Sequence, residues 1–317
     1  MNKLFKIDID TSRIFGLDIL RALAIMFVVI EYGSYLLPQK LRTISDFFVF
    51  DGVSIFFVLS GFLIGGILIK LIDKNGFNFS ILKTFWIRRW YRTLPNYFLI
   101  LIALCIINLL FDDDFTLRSV NRYFIFSQNI FTENPSLFFP EAWSLSIEEW
   151  FYLIFPILIF ITLLFKNSYK KSLLYVALLV IVFITAFRGY RFSNVYINGI
   201  NDWDLIFRKQ VITRLDSLMF GVVGAYISYF QNSLWIKFKT QLLFTGILLF
   251  IASKFILPHF TAIDGIYFCV FSFTLISTGT LFMLPYLSEL KTGNGFLYKP
   301  ITYISLISYS MYLLNLS

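Results

Sequence analysis

Charged residues are scarce in this sequence. Only 15% of the 317 residues are charged while 58% are hydrophobic, and the mean hydropathy is +0.76. Soluble domains are about 45–50% apolar and about 25% charged, so a water-soluble fold does not fit. Cysteine occurs twice, at Cys105 and Cys269, both inside apolar runs. There they read as small buried hydrophobes rather than as a disulfide, a metal site or a nucleophile, and no metal is expected. Histidine occurs once, at His259 in LPHFTAID, between two late apolar runs, and reads as a loop residue. There is no long basic run. The net charge of +8 comes mostly from Lys and Arg flanking apolar segments, as topology signals do, and nucleic acid is not an expected partner. Without a Pro/Gly/Ser-rich linker or an internal repeat, residues 1–317 read as a single integral domain with no appended soluble domain. No small-residue cleavage site follows the first apolar run, which therefore reads as a retained signal anchor.

Apolar runs close to the roughly 20 residues needed to cross a bilayer recur throughout. They predict spans at 15–37, 47–69, 93–111, 143–165, 172–188, 212–230, 239–257, 265–286 and 301–317. The expected class is an all-α, polytopic integral membrane helical bundle of about nine to ten transmembrane helices. The last run, ITYISLISYSMYLLNLS, has no polar flank and reads as truncated at the C-terminus. Lys70, Lys74, Lys83, Arg88, Arg89 and Arg92 crowd the link between the second and third spans, which predicts a cytoplasmic N-terminus.

A charge at the centre of a membrane helix costs at least about 2.5–3.5 kcal/mol, so intramembrane charges are default functional candidates. The first span holds Asp18, Arg21, Glu31 and Tyr32. At 100° per residue, Asp18, Arg21 and Tyr32 fall within about 60° of one another, whereas Glu31 points roughly 140° from Asp18. Asp18 and Arg21 read either as a helix-start pair or as part of a polar stripe ending in Tyr32. In FDGVSIFFVLSGFLIGG, Asp51 opens the span; Ser60, Gly61, Gly65 and Gly66 read as helix packing or as part of a site. In FWIRRWYRTLPNY, Arg88 and Arg92 are one turn apart and suit a phosphate clamp, or else anchor topology. In PEAWSLSIEEWFYLIFP, Glu148 and Glu149 stand among Trp143, Trp150 and Tyr152, which form an aromatic belt or a platform for a sugar ring. ITRLDSLMFGVVGAY adds Arg214 and Asp216 as a further buried pair.

Taken in order, GLDILRALAIMFVV, FDGVSIFFVLSGFLIGG, FWIRRWYRTLPNY, AWSLSIEEWFYLIFP, TRLDSLMFG and ISYSMYLLN resemble the membrane acyltransferases of family 3, which include bacterial O-antigen and nodulation-factor O-acetylases. The resemblance covers essentially the whole chain. It implies a multi-pass enzyme of the bacterial cytoplasmic membrane that takes an acyl group, usually acetyl, from acyl-coenzyme A. The group passes to a hydroxyl of a cell-surface or lipid-linked carbohydrate. Acyl-coenzyme A would be a donor substrate, with no tightly bound cofactor. Carried onto this sequence, the resemblance makes Arg21 part of an Arg-x10-His signature, Arg88, Arg89 and Arg92 a basic cytoplasmic cluster, and Glu148 the acid of a WSLS-x-E motif. Asp51, Ser60 and Gly61 would belong to the second-helix motif.

The sequence departs from the family at Tyr32, which stands where the histidine is expected. A phenol of pKa about 10 is protonated at neutral pH and donates a hydrogen bond, while an imidazole of about 6.5 accepts a proton there. Loss of a general base costs about 10²–10⁴ in rate. The expectation is an O-acyltransferase with catalytic candidates Tyr32, Arg21, Glu148 and Asp18. The candidates for substrate and coenzyme A binding are Arg88, Arg89, Arg92, Asp51, Ser60, Trp143, Arg214 and Asp216. Intramembrane charges equally suit a carrier or flippase, or a non-catalytic binding protein, and that alternative stays open.

Overall fold

The computed structural model describes residues 13–76, 78–131, 138–165, 168–293 and 295–315. Among them the chain is helical: α1 (Phe15–Gly33), α2 (Gln39–Phe48), α3 (Gly52–Asn75), α4 (Phe79–Phe111), α5 (Ala142–Leu164), α6 (Tyr169–Asn194), α7 (Ile200–Trp203), α8 (Val211–Phe230), α9 (Asn232–Lys237), α10 (Lys239–Ile251), α11 (Ser272–Glu289) and α12 (Tyr298–Leu313). A helix at each expected span follows from the lipid itself, which leaves backbone groups no partner but their own helix. Among the described residues, seven helical segments are long and apolar enough to cross a membrane by length and composition. The chain is a polytopic membrane helical bundle.

Polar caps set several boundaries. Asp51 accepts a hydrogen bond from Ser54 N at 3.1 Å, Asn78 one from Ile81 N at 3.0 Å and Ser168 one from Lys171 N at 3.4 Å, each satisfying an orphan donor of a first turn. The cap at Asp51 breaks the expected span 47–69: α2 ends at Phe48 and a new helix starts at Gly52. The third expected span is also longer than its apolar run. α4 is one helix of 33 residues with Pro95 inside it, about 50 Å long against a hydrocarbon core of about 30 Å. Arg88, Arg89 and Arg92 therefore ride on a continuous helix rather than on a preceding loop.

Apolar helices gain little from one another in lipid beyond close packing, so small residues mark the tight crossings. Gly61 of α3 and Gly221 of α8 are such a pair. A Cβ on Gly61 would strike the Leu218 carbonyl, and one on Gly221 would strike that of Val58. α3 touches α1, α4, α8 and α11. Its Val53, Phe57 and Ile64 share one core with Ile25 and Val28 of α1, Trp143 and Phe151 of α5, and Leu218 and Val222 of α8. A second core joins α1 and α3 to α10 and α11 through Leu20, Ile55, Leu59, Phe250 and Leu284.

Candidate active site

Polar groups collect in two cavities near opposite ends of α1. The first, of about 590 Å³, is lined from α1 by Asp18 and Arg21, from α3 by Ser60, from α4 by Arg89, Arg92 and Thr93, and from α5 by Glu148 and Tyr152. Ser305 and Tyr309 of α12 close it. Its size falls within the range of small-molecule sites. Glu148 is held on both oxygens: Ser60 Oγ donates to Oε1 at 2.9 Å and Tyr152 Oη to Oε2 at 2.9 Å. The two helices that carry Ser60 and Glu148 thus fix one carboxylate inside the cavity. Thr93 Oγ1 donates to Glu149 Oε1 at 2.7 Å, tying α4 to α5 just beside it.

The expected Asp18–Arg21 pair does not form. Arg13 folds back onto Asp18, with Nε donating to Oδ2 at 3.0 Å and Nη2 to Oδ1, and Ser305 Oγ donates to Asp18 Oδ1 at 2.7 Å. Asp18 is thereby engaged in binding α1 to α12, and Arg21 is left to the cavity. Among the described residues, Arg21, Arg89 and Arg92 form no ion pair within 4.0 Å. Arg89 and Arg92 face the cavity together, three residues apart, while Arg88 is exposed outside its lining. Of the three expected binding arginines, Arg89 and Arg92 line this cavity and Arg88 does not.

The second cavity, of about 480 Å³, is lined by Glu31, Asp46, Asp51, Asn201, Trp203, Asp204, Arg208, Tyr267 and Phe273, among others. Arg208 is its hub. One Nη2 lies 3.2 Å from Glu31 Oε1 and 3.9 Å from Asp51 Oδ1, and Nη1 lies 3.1 Å from Asp204 Oδ1. Burial alone would weaken the guanidinium's hold on its proton. The pull of Glu31, with Tyr32, Asp51 and Asp204, outweighs it and raises the Arg208 pKa well above its ordinary value. Asp51 also accepts from Ser54 Oγ at 2.5 Å, and the same hydroxyl takes a hydrogen bond from Arg214 Nη2 at 2.6 Å.

Arg214 and Asp216 do not pair with each other. Arg214 is wholly buried, 4.0 Å from Asp51 Oδ2 and over the Phe273 ring at 4.0 Å. Asp216 pairs with Arg188 of α6 at 2.7 Å, both side chains fully buried. Neither Arg214 nor Asp216 lines either cavity.

An aromatic wall borders both cavities. Trp143 has no exposure, which takes it out of both the belt and the open-platform readings. Its ring meets Phe57 edge-on at 6.1 Å and carries Arg208 over its face at 5.7 Å. Tyr312 accepts a hydrogen bond from Ser144 Oγ at 2.6 Å on the first-cavity side. Tyr32 packs against the core that holds Trp143 and Tyr312 and lines neither cavity. His259 is exposed and also lines neither.

Sequence reasoning takes Arg13 and Arg208 only as topology charges and leaves Asp204 unread. The one available signal was Asp204 and Arg208, four apart in a short segment between apolar runs.

Residues 14–317 match the acyltransferase 3 family, described as an acyltransferase domain. A Staphylococcus aureus (strain COL) protein named "Putative O-acetyltransferase" is 32% identical over 244 residues, covering 71% of this chain and 35% of that protein. The peptidoglycan O-acetyltransferase OatA of Listeria monocytogenes is 33% identical over 171 residues, covering 50% of this chain and 26% of its own length. An uncharacterized protein of Haemophilus influenzae is 28% identical over 254 residues, covering 71% of this chain and 97% of itself. The chain thus spans about a third of the Staphylococcus relative. No solved structure matches it significantly. With the family's motifs present in order and the match running through nearly every helix, the chain belongs to the acyltransferase 3 family of membrane proteins.

Proposed function

We propose that this chain is an O-acyltransferase that takes an acyl group, acetyl by preference, from acyl-coenzyme A in the first cavity. It passes the group to a hydroxyl of a cell-surface or lipid-linked carbohydrate in the second. The observation that carries the reading is the set of Arg21, Arg89 and Arg92 around one cavity without an ion-pair partner among the described residues, beside the fixed carboxylate of Glu148. Such arginines suit the phosphates of a coenzyme, which they would hold bidentately. Glu148, fixed by Ser60 and Tyr152, would orient the donor's acyl end. The second cavity offers Asn201 for hydroxyls and the faces of Trp203 and Tyr267 for a ring. In this reading the protein lies in a bacterial cytoplasmic membrane with its N-terminus and first cavity on the cytoplasmic side, as the six basic residues from Lys70 to Arg92 suggest.

Holding donor and acceptor in line contributes separately from proton transfer, so transfer can proceed with Tyr32 in place of the family's histidine. Labelled acetyl-coenzyme A incubated with membranes containing the chain should bind and yield a labelled carbohydrate. Arg89→Ala with Arg92→Ala should weaken the binding by about 10²–10⁴. A chain whose binding and labelling are indifferent to that pair is not an acyltransferase of this design, and the carrier reading takes its place.

A further inference from the structure

Four carboxylates line the second cavity, and three are already committed or displaced. Asp51 caps α3 and accepts from both Ser54 N and Ser54 Oγ. Asp204 gives one oxygen to Arg208 and the other to Lys209 at 2.5 Å. Asp46 lies exposed on α2. Glu31 differs from all three. Its Oε1 is held by Arg208 at 3.2 Å, while its Oε2 is shielded from solvent and accepts no hydrogen bond. A shielded carboxylate oxygen without a donor is costly to leave unmatched. Among the described residues it is also the one such acceptor lining the second cavity.

The neighbouring residue cannot do the same work. Tyr32 lies in the core around Trp143, outside both linings, and its phenol is a donor at neutral pH. α1 stays α-helical through Gly33, so the two side chains leave the helix about 100° apart, one into the wall and one into the cavity. We propose that Glu31 is the proton acceptor of the second cavity, receiving the proton of an acceptor alcohol on Oε2 while Arg208 holds Oε1. This rests on the acyl-transfer reading above. In the step, the acceptor O–H bond breaks and its proton goes to Glu31 Oε2 as the oxygen bonds the thioester carbonyl carbon of a donor whose acyl end reaches from the first cavity, along the aromatic wall, to the second. The carbon–sulfur bond then breaks, and the thiolate leaves with the electron pair. Glu31 returns its proton to water.

The test uses the full chain in membranes of expressing cells, whose own glycoconjugates supply the acceptor, with labelled acetyl-coenzyme A as the probe. Two quantities are read: bound donor and label transferred. Glu31→Gln should lower transfer by about 10²–10⁴ with donor binding unchanged. Tyr32→Phe should leave transfer within about threefold, since it removes only a hydroxyl outside the cavity. Glu31→Asp, which keeps the carboxylate but withdraws it by about one bond, should retain more transfer than Glu31→Gln. Transfer by Glu31→Gln at the wild-type rate, or an equal loss in Tyr32→Phe, overturns the assignment. If Glu31→Gln also loses donor binding, the fold has failed and Glu31→Asp decides in its place. Transfer reduced about tenfold with binding intact then supports the role, and transfer at the wild-type rate refutes it. Wild-type membranes that bind donor but label nothing overturn the acyl-transfer reading itself, a result separate from any difference between variants.

Discussion

In the first cavity Arg21, Arg89 and Arg92 have no ion-pair partner within 4.0 Å among the described residues. In the second, Arg208 alone meets Glu31, Asp51 and Asp204. The same side chain therefore does opposite work about 15 Å apart along α1, the rise between Arg21 and Glu31. Arginines left without counter-charge in a cavity await an anion from outside the protein. An arginine ringed by carboxylates from three elements is architecture, joining α1, the start of α3 and the segment after α7. The one exception in the second cavity is the free oxygen of Glu31.

If that contrast is real, Arg89→Ala with Arg92→Ala should have the largest effect on binding and almost none on stability. Each charge-assisted hydrogen bond to a phosphate is worth about 1.5–3 kcal/mol, so the pair should weaken acetyl-coenzyme A binding by about 10²–10⁴. The thermal unfolding midpoint in detergent should stay within a degree or two, because no internal partner is lost. A protein that unfolds instead would mean that these arginines are structural after all.

Arg208→Ala should do the reverse. Removing one member of a buried charge cluster costs about 3–5 kcal/mol, because the partners stay buried and unpaired. Unfolding followed by tryptophan fluorescence should shift by that amount while donor binding stays at its wild-type value. Donor binding that falls with Arg208 would mean that the charge cluster of the second cavity also shapes the donor site.

The spans were legible in the sequence because lipid leaves an apolar run few alternatives to a helix. The charge partners were not, since side chains adjacent in sequence on one helix need not face one another. Arg214 and Asp216, two apart, point about 160° from each other, and each finds its partner on another helix, at Asp51 and Arg188. Asp18 was matched to the arginine one turn ahead of it and is bound by the one five residues behind. The helical wheel sets Glu31 off the stripe of Asp18, Arg21 and Tyr32 and on that ground argues against it as a base. What it faces was not readable, because Arg208 is 177 residues away. Tyr32 was legible as the position of a histidine, but only the packing around Trp143 shows it outside both cavities.

A change that touches both cavities equally tests whether they depend on one frame. Gly61 follows Ser60 of the first cavity and crosses α8, which carries Arg214 behind the second, with no room for a Cβ against the Leu218 carbonyl. Gly61→Ala should cost about 1–3 kcal/mol of stability by overpacking. Donor binding and transfer should then fall together at temperatures near the lowered midpoint and recover together on cooling.

The smallest expected effect isolates orientation from charge. Ser60→Ala removes one of the two hydrogen bonds on Glu148 and leaves that of Tyr152 in place at 2.9 Å. The carboxylate keeps its charge and its helix, so the arginines beside it feel the same field and donor affinity should not change. What is lost is one restraint on its position, worth about 0.5–1.5 kcal/mol, and a transfer rate about two- to tenfold lower follows if that restraint is felt only in the transition state. Ser60→Thr, which restores a hydroxyl on the same carbon, should regain part of the rate. A loss of donor affinity in Ser60→Ala, with the rate at saturating donor unchanged, would instead make Glu148 a binding group in the ground state. The division of labour in the first cavity would then lie wholly with its arginines.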